Sequence, residues 1–293
     1  MPQPQQPSVT RRQFLATASA SAALAAVGPA LAGTLPGPDR KPPQPKLGVQ
    51  SYTFRQFKLD RAVATMNRLG LRYAEFFSGH LPLSASAEQR RAFLALCQDH
   101  DVTPVAFGVQ PFTKDHAHNQ RQFEFAKELG IGCLTADPTL DAFDSLDKLC
   151  AEYQIRIAIH PHGPVGRTLH RWYSAETIMA IVKNRHPLIG SCLDTGHLIR
   201  CAQLGTTLDP AAQVRVMGAR NFGLHIKDHD NDKRTDVILG QAALRVEELL
   251  RALRDVEFDG FLSLEYEANP ADPTADVEAC LAVLRAAVTA VYG

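Results

Sequence analysis

Leu188-Ile189-Gly190-Ser191-Cys192-Leu193-Asp194 reads as a strand with two unequal faces. Successive side chains of a strand point to opposite sides. Ile189 and Leu193 therefore share one face, and Gly190, Cys192 and Asp194 share the other. One face is bulky and aliphatic. The other is narrow and ends in a carboxylate. The preceding candidate strand repeats this pattern, with Ile155, Ile157 and Ile159 opposing Ala158 and His160. Downstream, Leu224 and Ile226 oppose Gly223 and His225, and Leu262 and Leu264 oppose Ser263 and Glu265. A barrel of parallel strands has this requirement: bulk outward against helices, small residues inward, and polar groups at the C-terminal rim where barrel active sites are built.

The pattern extends along the chain. Strand-like runs cover 47–52, 72–77, 103–109, 132–136, 155–160, 188–194, 222–227 and 261–266. Helix-like runs fall near 59–69, 86–100, 117–129, 143–152, 174–184, 209–218 and 246–255, with a last one over 273–290. Eight strand–helix alternations with short connections predict a single-domain α/β protein, a (β/α)8 TIM barrel over residues 46–293. A doubly wound open sheet is the competing architecture. It is disfavoured because no Gly-rich dinucleotide fingerprint follows the first strand.

Composition fits that size. The 293 residues are 45% hydrophobic, and such barrels need about 250 residues. Thirty-one basic residues balance 31 acidic ones, which gives no basis for nucleic-acid binding. Thr10-Arg11-Arg12-Gln13-Phe14-Leu15, followed by an Ala-rich apolar stretch, resembles a twin-arginine export signal over residues 1–32. Residues 33–45, rich in Pro and Gly, read as a linker. The expected location is periplasmic or otherwise exported, and the apolar run is too short for a stable membrane span. The six cysteines lack CxxC spacing, and Cys133 and Cys192 fall in strand-like runs as apolar fillers rather than disulfides.

His160, Asp194, His225 and Glu265 form the expected metal site: four inward residues at the ends of four successive strands. Two imidazoles and two carboxylates suit one divalent ion, with Mn²⁺ the first choice and Zn²⁺, Fe²⁺ or Co²⁺ the alternatives. His162 lies two residues beyond His160 and competes for its role.

Leu193-Asp194-Thr195-Gly196-His197, Leu224-His225-Ile226-Lys227-Asp228 and Leu264-Glu265-Tyr266-Glu267 carry a family resemblance, supported by Leu239-Gly240-Gln241. With these motifs the chain resembles the sugar phosphate isomerase/epimerase superfamily, the xylose isomerase-like barrels, over about residues 46–290. The resemblance implies that Asp194, His225 and Glu265 hold a metal. It also implies that His197 contacts a substrate hydroxyl and that Lys227 lies at the rim within reach of substrate. An ion pair of Lys227 with Asp228 or a neighbour is the structural alternative. His160 departs from the family, which has Glu at that position, so a two-carboxylate epimerase mechanism loses one of its bases. One-base chemistry on a sugar or keto-sugar is better supported: a proton shift, or elimination or hydration on a keto-glycoside.

In that reading Glu265, or His162 from the loop, takes a proton next to a carbonyl, while His197 and Lys227 orient hydroxyls. Glu75 is either a rim substrate contact or a structural partner, and Trp172 either stacks on a sugar ring or covers the barrel edge. The expected partner is a small sugar or keto-sugar, with self-association left open. Two other readings compete: a non-catalytic sugar-binding barrel that keeps the metal site, and a repair nuclease of the same superfamily. The nuclease would need a multi-metal cluster and a basic groove, and the even charge balance argues against it.

Overall fold

The computed structural model describes residues 42–293. The expected export signal, and the linker up to residue 41, lie outside the described residues. Eight parallel strands close into a barrel: β1 (Lys46–Gln50), β2 (Tyr73–Phe76), β3 (Thr103–Phe112), β4 (Cys133–Pro138), β5 (Arg156–Ile159), β6 (Ile189–Asp194), β7 (Asn221–Ile226) and β8 (Phe261–Leu264). Closure comes from β1, which pairs with β2 on one side and β8 on the other. The helices that follow the strands are α1 (Leu59–Arg68), α2 (Ala87–Asp99), α3 (His116–Glu128), α4 (Phe143–Tyr153), α5 (Ala175–Val182), α6 (Pro210–Met217), α7 (Val246–Asp255) and α8 (Thr274–Tyr292).

Local chemistry sets several boundaries. Ser86 and Gln89 form a reciprocal capping box at the start of α2, and Ser174 with Thr177 does the same for α5. Asp209 caps α6, which begins on Pro210, where a missing N–H costs nothing. In α7, Val246, Leu249, Leu250 and Leu253 recur at helical spacing and are buried. The chain leaves α3 through Gly130, whose φ of +69° suits a residue without Cβ.

Apart from Phe222, which shares parity with Leu224 and Ile226 yet joins the inner cluster, the two strand faces separate as their parity predicts. Ile157, Ile159, Leu193, Leu224, Ile226, Leu262 and Leu264 join the large core between barrel and helices. Ala158 and Cys192 join a small inner cluster with Ala106, Cys133, Phe222 and Phe261. Small inward residues make room for those rings: a Cβ on Gly223 would lie 2.2 Å from the ring of Phe261. Two segments fall outside the regular alternation. A short helix, Thr195–Arg200, follows β6 directly, and an antiparallel hairpin, Asp228–Asp230 with Thr235–Val237, follows β7. Among the described residues no helix is long and apolar enough to cross a membrane.

All six cysteines are free and buried. Burial pushes the thiols of Cys97, Cys150 and Cys192 up to about 12, and those of Cys201 and Cys280 up to about 11. The native protein should therefore resist a thiol reagent at mildly alkaline pH, and six thiols should react once it is denatured. Fewer than six after denaturation would reveal a disulfide. Gly223→Ala should cost about 1–3 kcal/mol in urea unfolding, because the added methyl overpacks the ring of Phe261.

Candidate metal centre and sugar cavity

Strand order brings the candidate ligands together. In the register, Asp194 on β6 stands beside His225 on β7, and His225 stands beside Ser263 on β8. The ladder continues one residue beyond two strands. His160 donates its N–H to the Ala136 carbonyl, and Glu265 donates its N–H to the Ile226 carbonyl. These bonds hold both residues at the rim.

The four side chains converge on one point. His160 Nε2 lies 3.0 Å from His225 Nδ1 and 3.4 Å from Asp194 Oδ2. His225 Nδ1 is 3.7 Å from Asp194 Oδ2 and 3.2 Å from Glu265 Oε2. All four residues are buried, and their donor atoms lie within 4.8 Å of one another. Donor atoms sharing a centre about 2.1 Å away stand roughly 3–3.5 Å apart. The residues present therefore fit a divalent ion. No hydrogen bond reaches buried Asp194 Oδ2, although the Lys227 ammonium stands 3.3 Å away, so the oxygen is open to a further ligand. The other oxygen of Asp194 accepts the His197 N–H at 2.7 Å and caps the short helix, which fixes the carboxylate's orientation.

Glu75 orients His225. Its Oε2 accepts from His225 Nε2 at 2.6 Å, and its Oε1 accepts the Thr135 hydroxyl. With Nε2–H committed to Glu75, the His225 ring turns Nδ1 toward the cluster, and Nδ1 would offer its lone pair once its own proton is displaced. The expectation that Glu75 could meet substrate is thereby corrected. The residue is fully buried, both of its oxygens are occupied, and it acts as a structural partner.

Lys227 is likewise buried. Its Nζ lies 2.5 Å from Glu267 Oε1, 3.0 Å from Glu265 Oε2 and 3.3 Å from Asp194 Oδ2. The ion pair is thus with neighbours on β6 and after β8 and not with Asp228. Asp228 is fully occupied: Oδ2 accepts the N–H groups of Gly240 and Ala242, and Oδ1 those of Ala243 and Leu244. One carboxylate thereby fastens the Gly-rich loop that follows the hairpin. A substrate contact by Lys227 is not supported, because its ammonium is spent on three carboxylates and it does not line the cavity.

The charges in this group are interdependent. Burial alone would raise the Asp194 carboxyl, but Lys227, His197, His160 and His225 together outweigh it and hold the group well below the usual range. Burial likewise opposes ionisation of Glu265, and Lys227 and His225 bring it down to about 2. Burial also disfavours a charged His225, yet the carboxylates of Glu75 and Glu265 carry it well above its ordinary value.

A cavity of about 320 Å³ opens over the cluster. Gln50, Tyr52, His160, His162, His197, Glu265 and Glu267 contribute to its wall. His197 Nδ1 accepts the Gly163 N–H at 2.9 Å, so the neutral ring presents Nε2–H as a donor. Burial pushes His162 down to about 3 and leaves it neutral. The Trp172 expectation is corrected. The indole is 1% exposed, packs edge-on against Phe143 at 5.9 Å, and donates Nε1–H to the Pro138 carbonyl at 2.9 Å. It supports the barrel wall and takes no part in the cavity. Glu267 was not singled out in the sequence, although it stands two residues past Glu265, which is one full strand repeat.

Comparison with solved structures finds the same architecture. An uncharacterized protein from Parabacteroides distasonis is 26% identical, with 83% of this chain and 98% of that one covered and a TM-score of 0.63. The apo form of a 3-keto-D-glucoside 4-epimerase from E. coli is 16% identical, with 83% and 100% covered and a TM-score of 0.63. D-psicose 3-epimerase, solved in the presence of D-fructose, is 15% identical, with 83% and 99% covered and a TM-score of 0.64. No curated protein sequence matches the chain. The family described as the xylose isomerase-like TIM barrel matches residues 63–287, and the chain belongs to that family.

Proposed function

We propose that the protein is a divalent-metal-dependent enzyme that removes a proton next to a carbonyl of a sugar or keto-sugar. It would act as an isomerase or epimerase, or as a lyase or hydratase on a keto-glycoside. The observation that carries this reading is the convergence of His160, Asp194, His225 and Glu265 beneath a cavity of about 320 Å³. Two structural relatives bear names of sugar epimerases, which agrees with it. Export through a twin-arginine signal and a periplasmic location belong to the same proposal.

The ion, for which Mn²⁺ is the first choice, would be held by those four residues and would acidify a C–H beside a bound carbonyl. The protein's own groups do the rest. Glu265 Oε2 is committed to Lys227 and His225, whereas Oε1 has no partner among the described residues and is the proton acceptor. Lys227 keeps Glu265 ionised and ready to accept. His162 lines the same cavity as a neutral ring, which suits it to hydrogen-bond a substrate hydroxyl more than to take up the proton itself. The Nε2–H of His197 holds a substrate oxygen. Glu267 places a second carboxylate on the cavity wall, so the His160 departure from the family pattern does not leave the site with a single one.

Metal analysis of the purified protein should find about one divalent ion per chain, lost in His160→Ala. Folded wild type without metal would sink the proposal. Glu265→Gln should lower deuterium exchange at the carbon next to the carbonyl by about 10²-fold or more. Exchange retained within a few-fold would remove Glu265 from the base role. Glu75→Gln should still fold and weaken metal affinity about 10–100-fold, because the His225 tautomer is no longer enforced. An unchanged metal affinity would leave Glu75 without that positioning role.

A further inference from the structure

A smaller cavity of about 200 Å³ adjoins the one described above, and Glu267 lines both. Its wall is built from the segments that break the regular alternation. Arg200 ends the short helix, His229 and Asp236 face each other across the hairpin, and Arg234 sits at the hairpin turn. Taken alone, the space is smaller than the roughly 300 Å³ at which ligand sites begin, so it suits an extension of the main cavity.

Two features make this more than a surface dent. His229 Nε2 and Arg200 Nε are both buried without a hydrogen-bond partner. Buried polar atoms are ordinarily satisfied, and both of these belong to side chains that line the cavity. Moreover, among the described residues neither Arg200 nor Arg234 has a carboxylate within ion-pair distance, although Arg171, Arg185 and Arg215 do.

The polarity of the wall identifies the ligand class. Asp236 Oδ1 accepts from His229 Nδ1 at 2.9 Å, which leaves Nε2 as the ring atom free for a ligand. The guanidinium groups of Arg200 and Arg234 are donors only, and the carboxylate of Glu267 is an acceptor only. Donors and acceptors therefore alternate around the space. Hydroxyl groups, which donate and accept at once, complement such a wall. A carboxylate or phosphate does not, because it would face the Glu267 carboxylate.

We propose that this cavity is a subsite for a second polyhydroxylated unit, so that the substrate is a glycoside or disaccharide spanning Glu267 and not a single free sugar. The proposal rests on the reading of the main cavity as a sugar site. It assigns specificity to Arg200, Arg234 and His229, none of which adjoins the candidate metal ligands in the chain.

The test is calorimetric binding to the metal-loaded full chain, with glucose, cellobiose, maltose, sucrose and glucuronate as probes. At least one disaccharide should bind about tenfold tighter than glucose. Arg234→Ala, a partly exposed turn residue, should erase that preference and leave glucose affinity within about twofold. The proposal is overturned if no disaccharide exceeds glucose, if Arg234→Ala weakens all sugars equally, or if glucuronate binds tightest, which would mark an anion site. Deuterium exchange on the corresponding keto-sugars separates the two readings. A disaccharide preference without exchange keeps the subsite and removes the enzyme. Exchange on a monosaccharide without any preference keeps the enzyme and removes the subsite.

Discussion

The ammonium of Lys227 sits against Asp194, Glu265 and Glu267, and the chemistry of the barrel mouth depends on it. A buried carboxylate is expensive unless it is paired and hydrogen-bonded. Here three of them, Glu75, Asp194 and Glu265, crowd one end of a barrel only eight strands wide, with half-buried Glu267 beside them. Lys227 offsets three and His225 the fourth, so the carboxylates remain ionised in surroundings that would otherwise protonate them. The backbone protects this arrangement. The Thr195 hydroxyl donates to the Lys227 carbonyl and accepts the Lys227 N–H, and a Cβ on Gly196 would strike the Lys227 side chain at 2.4 Å. The small residues of Asp194-Thr195-Gly196-His197 are thus explained by the lysine they must pass.

The barrel was legible because its rule is local. Parity along Ile189–Asp194 separates a helix-facing from an inward face without knowledge of any other strand, and the inner cluster containing Ala158 and Cys192 obeys it. The same rule places His160, Asp194, His225 and Glu265 on the inner face. What parity does not convey is pairing between strands far apart in sequence. Glu75 reaches His225 across 150 residues, and no local pattern announces a partner at that distance. Trp172 shows the converse error. An aromatic in a loop after a strand suggests a stacking surface, but the Pro138 carbonyl and the Phe143 ring draw it inward.

The segments with no strand–helix periodicity were the least legible, and they are the ones that border the two cavities. The short helix after β6 is set by the Asp194 cap, a role that a carboxylate at a strand end does not announce. The hairpin after β7 contains Asp-His-Asp, which carries no alternating apolar face and so gives no strand signal. Such segments tend to be where function diverges, because a rigid scaffold holds them and little packing constrains them.

The Asp228 carboxylate and its four backbone amides have a consequence for how this family can be recut. The stretch from Gly240 to Leu244 has the look of a free connector, yet four of its five amides, all but that of Gln241, are held at about 3 Å to one of two oxygens. Adding or deleting a residue there would put those amides out of step with a fixed carboxylate. The hairpin tip from Asp232 to Arg234 is tied only locally, by the Asp230 carboxylate that accepts the N–H groups of Asp232 and Lys233, and Lys233 is open to solvent. Chain length can therefore vary at the tip while the barrel rim stays in place, and a graft that changes the second cavity belongs there.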